Sequence, residues 1–238
     1  MATIKAVSVS GNNMEVRLDT DTDTVILLDM TTFLENGRKF CDFNPAELMA
    51  SVQTDGDTIW FSRSGETFIK IPWQDFKAIV FSDTEAISEK IFMQAPGASM
   101  QQLDLDRLEL ACGFLTRKGG YTKIQSVSTS GNIVQVHMSN TAQAVIQLDL
   151  TLFLKYGRKQ CPFDPEEVMR GMKAGDMKIY VGVGGDVLTD IYWTDLYKLT
   201  LHGDSNAVSA KVFQTMAQKK RLQSASKPLS NRDQGGQP

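Results

Sequence analysis

Only two histidines, His137 and His202, and three cysteines, Cys41, Cys112 and Cys161, occur in the 238 residues. A structural metal site needs clustered Cys and His ligands, and so sparse a set does not supply them. An odd number of scattered thiols also argues against a disulfide framework and for a reducing compartment. Long apolar runs are missing. The longest strand-like one, TVILLD at 24–29, is far short of the ~20 residues that span a bilayer. The first residues, MATIKAVSVSGNN, contain no apolar stretch of the signal-peptide kind. Strong charge of one sign is missing too, and a net charge of −3 gives no general attraction to nucleic acid or anionic lipid. These absences lead to the expectation of a soluble cytoplasmic protein with no cofactor and no membrane partner.

What the chain does contain is repetition, which bears on the whole fold. Aligned without a gap at an offset of 120, residues 4–81 and 124–201 are identical at 27 of 78 pairs. Beyond them SDTEAISEKIF and GDSNAVSAKVF align once His202 is treated as an insertion. The repeating unit therefore spans about 90 residues, 4–93 and 124–214. The sequence predicts an α+β fold: a tandem duplication of a β-rich module in a pseudo-two-fold arrangement. Its parts are module A at 1–95, a linker helix at 96–121, module B at 122–218 and a basic, disordered tail at 219–238.

Each copy reads alike. Val7, Val9, Met14, Val16 and Leu18 alternate with polar residues around Ser10-Gly11-Asn12-Asn13, a hairpin signal that Val127, Val134, Val136 and Met138 repeat. A third strand ends at Asp29 or Asp149. A short helix follows, with that aspartate as its cap and Gly37 or Gly157 as a left-handed residue past its end. From Gly37 a strand is expected, placing Lys39, Cys41 and Phe43 on one face and Arg38, Phe40 and Asp42 on the other. Asn44-Pro45-x-Glu47 and Asp164-Pro165-x-Glu167 start a second helix, since Asx accepts an orphan N–H and proline has none to leave unpaired. Strands are predicted at Ile59–Arg63, Thr67–Ile71 and Phe76–Phe81, then a helix near 83–93. The expected total is about seven strands per copy. Between the copies, Leu105, Leu108, Cys112 and Leu115 form one apolar stripe of the linker helix.

Candidate chemistry is thin. Cys41 and Phe43 recur as Cys161 and Phe163 while their neighbours change, as on a buried face holding a small apolar cysteine. Neither histidine recurs, so a duplicated catalytic site cannot depend on one. The repeated carboxylates Asp29/Asp149 and Glu47/Glu167 have helix-capping roles, and Asp75/Asp195 read as turn residues beside tryptophan. The glycine-rich VGVGGDV at 181–187 fits no phosphate-loop pattern and reads as a hairpin. Arg38-Lys39 and Arg158-Lys159 persist in both copies, and paired cations can hold an anion or a partner's carboxylate. The tail adds Lys219, Lys220 and Arg221. With five basic residues against Asp233 it carries +4, which leaves −7 on residues 1–218.

The reading is therefore a non-enzymatic interaction or structural protein, a fused pseudo-dimer that assembles with another protein or with itself. The alternative is a nucleic-acid or anion-binding module using Arg38, Lys39, Arg158, Lys159, Lys219, Lys220 and Arg221.

Overall fold

β1 (Ile4–Ser10) and β2 (Asn13–Leu18) form the first expected hairpin, with Gly11 at φ +60° in its turn. β3 (Val25–Asp29) adds a third antiparallel strand. This computed structural model describes residues 2–82, 84–98 and 122–225, the side chains of 223–225 excepted. Among them it is a mixed α/β structure of twelve strands in three sheets and eight helices. After β3 come α1 (Thr31–Gly37), α2 (Pro45–Ala50), β4 (Gln53–Thr54), β5 (Thr58–Arg63), β6 (Glu66–Pro72), α3 (Trp73–Phe81) and α4 (Thr84–Phe92). The same order then runs through β7 (Ile124–Ser130), β8 (Ile133–Met138), β9 (Val145–Asp149), α5 (Thr151–Gly157), α6 (Pro165–Arg170), β10 (Lys173–Gly175), β11 (Lys178–Val183), β12 (Asp186–Tyr192), α7 (Trp193–His202) and α8 (Ser205–Ala225).

The large sheet is shared between the two halves, in the order β1-β2-β3-β9-β8-β7. Its seam is antiparallel, with Val25 opposite Gln147, Ile26 opposite Ile146 and Leu27 opposite Val145. Backbone bonds flank the seam reciprocally: Asp29 N–H donates to Ala142 O at 2.8 Å and Asp149 N–H to Thr22 O at 2.7 Å. The β2–β3 turn of each half docks on the opposite half's helix. Thr22 Oγ1 donates to Leu199 O at 3.1 Å, and Asn140 Nδ2 donates to Ile79 O and Val80 O at 3.0 and 2.8 Å. The buried residues of both halves belong to one core.

One face of the large sheet carries Met14, Val16, Ile26, Leu28 and their counterparts Val134, Val136, Ile146 and Leu148, all buried against the helices. The small sheets β4-β5-β6 and β10-β11-β12 enclose the rest of the core.

Several expectations are corrected. Phe76–Phe81 is helical, part of α3, so each half has six strands. Its buried residues Phe76, Ile79 and Val80 follow helical spacing, which so short an apolar run does not distinguish from a strand. Residues 38–40 form a turn and 41–43 are irregular, with no strand. Lys39 is exposed while Cys41 and Phe43 are buried, so only part of the expected face exists. Gly37 and Gly157 are the last residues of α1 and α5, and neither has positive φ. Each is glycine because a Cβ there would enter the ring of Phe92 or Phe213. The chain is still helical at Lys219–Ala225, within α8, where a disordered tail is expected. Residues 226–238 and most of the expected linker helix, 99–121, lie outside the described residues.

Candidate interaction surface

The Arg-Lys pairs follow the short helices α1 and α5, which are locked from below by aromatic rings. Phe92 of α4 meets Phe33 at 5.2 Å and stacks on Phe43 at 5.1 Å, and Phe213 of α8 meets Phe153 at 5.3 Å and stacks on Phe163 at 4.4 Å. Ser88 and Ser209 tie the same helices down by donating to Phe33 O and Phe153 O at 2.5 and 2.6 Å. Met30 and Leu150, not the expected Asp29 and Asp149, occupy the N-cap positions; the aspartates sit one residue earlier and accept from the Thr31 and Thr151 N–H groups at 2.9 and 2.8 Å. Asn44 and Asp164 cap α2 and α6 through Ala46 N and Glu166 N at 3.1 and 3.0 Å. The loop bearing the cations is thus held rigid at both ends.

Within that loop the two cations differ. Lys39 Nζ donates to Asn36 Oδ1 at 2.6 Å, and Lys159 Nζ stands 5.3 Å from the Tyr156 ring. In both halves, then, the lysine is held by the residue three positions earlier. Arg38 and Arg158 are exposed and make no side-chain hydrogen bond or ion pair among the described residues. They are the positions that internal structure leaves unexplained.

The structure brings the C-terminal cations to the second of these loops. Gln214 Nε2 donates to Gln160 Oε1 at 3.3 Å, Met216 Sδ lies 3.9 Å from Cys161 Sγ, and the Lys220 charge acts on the Cys161 thiol. Arg158 and Lys159 therefore share one end of the molecule with Lys219, Lys220 and Arg221. Among the described residues the first half has no such group, because α4 stops at Phe92.

Cys41 and Cys161 are both buried. Burial pushes the Cys41 thiol above its ordinary value, against a lowering by Arg63, and burial likewise raises Cys161 against Lys220. A protonated, enclosed thiol is a poor nucleophile. Asp75 and Asp195 are not turn residues: both are buried in the first turn of α3 and α7. Lys90 donates to Asp75 at 2.7 and 3.0 Å, and Lys211 donates to Asp195 at 2.6 Å. His137 is half-buried in β8, and His202 ends α7 with its ring 5.8 Å from Tyr197. Among the described residues no group of three or more His, Cys, Asp or Glu side chains is placed to hold a metal ion.

VGVGGDV is a hairpin, with Gly184 and Gly185 at φ +64° and +94° matching Ser64 and Gly65 at +54° and +84°. The open groove beside it mixes Arg170 and Lys173 with Glu167 and Asp186, so no single charge converges there.

Two further surface features stand out from the fold. The outward face of each small sheet presents an aromatic on its middle strand, Trp60 or Tyr180. Beside Tyr180, Lys178 bonds Asp190 at 3.0 Å and sits 4.9 and 5.1 Å from the Tyr180 and Tyr192 rings. The hydrogen bond to Asp190 raises its pKa. Alternation along 178–183 carries this signal. The second feature is the pair of outer strands, β1 and β7, which end the large sheet on either side.

No protein-family model, curated protein or solved structure matches the chain. No helix among the described residues is long and apolar enough to cross a membrane.

Proposed function

We propose that the chain is a non-enzymatic interaction protein: a tandem duplication fused into a pseudo-dimer, serving as an assembly or adaptor component of a larger complex. The observation that carries this reading is the reciprocal seam, in which β3 and β9 pair about Ile26 and Ile146 and each half's turn docks on the other's helix. Such a seam is the isologous interface of a symmetric dimer placed within one chain. It leaves two related edges and two related aromatic sheet faces as contact surfaces. Crosslinking followed by mass photometry of the native extract tests the proposal. The chain is expected in a complex or oligomer, and a clean monomer would count against it.

A second reading, a nucleic-acid or anion-binding module, is favoured by the gathering of Arg158, Lys159, Lys219, Lys220 and Arg221 at one end. It requires salt-dependent binding of a mixed-sequence oligonucleotide that falls when Arg38, Lys39, Arg158 and Lys159 become alanine. Binding that is absent or unchanged removes it.

A further inference from the structure

The two halves share a backbone plan but differ sharply in charge. Residues 2–95 hold 8 Lys and Arg against 15 Asp and Glu, a net −7, whereas residues 122–225 hold 12 against 9, a net +3. The shared sheet places these unlike halves at opposite ends. β1 forms the edge of the acidic half and β7 the edge of the basic half.

Among the described residues each edge strand makes one outward backbone hydrogen bond, at its first residue. Ile4 N–H bonds Gly56 O at 2.7 Å and Ile124 N–H bonds Asp176 O at 2.9 Å. Beyond those first residues, the outward backbone groups of β1 and β7 have no partner among the described residues. A bulge disturbs each strand only at its start, between Ile4 and Ala6 or between Ile124 and Ser126. Val7–Ser10 and Val127–Ser130 are then regular and contain neither charge nor proline. Proteins that keep an edge from pairing place lysine, proline or a bulge there; Lys5 and a bulge mark the start of β1 and a bulge the start of β7, and Val7–Ser10 and Val127–Ser130 carry none of these.

Strand direction also fits. Every pairing in the six-stranded sheet is antiparallel, so β1 and β7 run in opposite directions. A second copy set edge-on with its sheet facing the same way brings β1 antiparallel against β7. Pairing β1 with β1, or β7 with β7, is antiparallel as well, but sets like-charged halves side by side.

We infer that the partner for these edges is a second copy of this chain, joined head to tail through β1 of one molecule and β7 of the next. Such a contact is heterologous, so it builds a chain or ring of subunits instead of stopping at two. Main-chain hydrogen bonds supply the pairing, and attraction between the −7 and +3 halves selects the β1–β7 register over the two symmetric alternatives. This inference rests on the assembly reading above and names its partner.

The test uses the purified full chain in analytical ultracentrifugation. At low salt the weight-average mass is expected to rise with concentration above the 26.4 kDa monomer, and to fall back several-fold in association constant at 0.5 M NaCl. Ser8→Lys and Ser128→Lys place a charge at an exposed position on one edge each. Each variant alone is expected to be monomeric, and an equimolar mixture to form a dimer through the two intact edges. Ser10→Lys and Ser130→Lys replace any variant whose circular dichroism departs from the parent's. A monomer at every concentration overturns the inference, as does a single-edge variant that still dimerises by itself. If the pure protein is monomeric while the native extract holds it in a complex, only the self-pairing falls and the assembly reading stands.

Discussion

Ile26 of β3 lies opposite Ile146 of β9 at the centre of the shared sheet, and the two are counterparts at the 120-residue offset. Val25 and Leu27 meet Gln147 and Val145, so exchanging the halves maps this set of pairs onto itself. The seam is therefore a local two-fold relationship, and the buried side chains of both halves meet across it.

Because each half's turn docks on the other's helix, the halves are expected to unfold together. Scanning calorimetry of the full chain should give one transition, with calorimetric and van't Hoff enthalpies equal. Two resolved transitions would show that the seam does not couple the halves. Asn140→Ala leaves Ile79 O and Val80 O without their donor and should lower that single transition, by about 1–3 kcal/mol in stability.

Gly37 and Gly157 lie under Phe92 and Phe213, and a methyl group at either position overlaps the ring. Gly37→Ala and Gly157→Ala should each cost about 1–3 kcal/mol, read by urea denaturation, because the ring must leave its place between two other phenylalanines. Phe92→Leu in the Gly37→Ala background should recover part of that loss. Additive costs would mean that the ring is not what excludes the side chain.

Much of this was legible in the residues. The β1–β2 hairpin, the Asx-Pro helix starts and the burial of Cys41 and Phe43 follow from spacing and local chemistry. What was not legible depends on contacts between distant segments. Nothing local distinguishes a glycine needed for left-handed φ from Gly37, whose constraint comes from a ring 55 residues away. The segment at 76–81 is too short and too apolar for its period to be read. Asp75 resembles a turn residue until α4 brings Lys90 to it. Of the candidate site, the Arg-Lys pairs were found as a repeated motif, but the charge contrast between the halves acquires meaning only once β1 and β7 are placed at opposite edges.

The pairs Asp75–Lys90 and Asp195–Lys211 join the last two helices of each half. Each aspartate is buried while its lysine is partly exposed, so losing the lysine strands a carboxylate, whereas losing both charges does not. Lys90→Met should cost roughly 1–3 kcal/mol in thermal or urea unfolding, with Asp75→Asn combined with Lys90→Met costing less than Lys90→Met alone. Lys211 is the more exposed of the two lysines, at 60% against 34%, and Lys211→Met should therefore cost less than Lys90→Met. The reverse order would mean that solvent access does not set the strength of these pairs.

Burial raises the pKa of both Cys41 and Cys161, which fixes the sign of a pH effect. In the unfolded chain a thiol loses its proton near pH ~8.5, while the folded protein holds it to higher pH. Above that point the folded state binds more protons than the unfolded one, so stability falls as pH rises. The contribution is fully present below pH ~8.5 and is lost as pH climbs through the folded pKa. On a Cys112→Ala background, which leaves only these two thiols to report, the melting temperature should drop between pH 8 and 10 more steeply than in the Cys41→Ala/Cys161→Ala counterpart. Labelling with a thiol reagent at pH 8 should be slow in the folded protein and fast in urea. Rapid labelling of the folded chain would mean that the two cysteines are open to solvent, and the loops carrying Arg38 and Arg158 would then lack the buried anchor that holds them against α4 and α8.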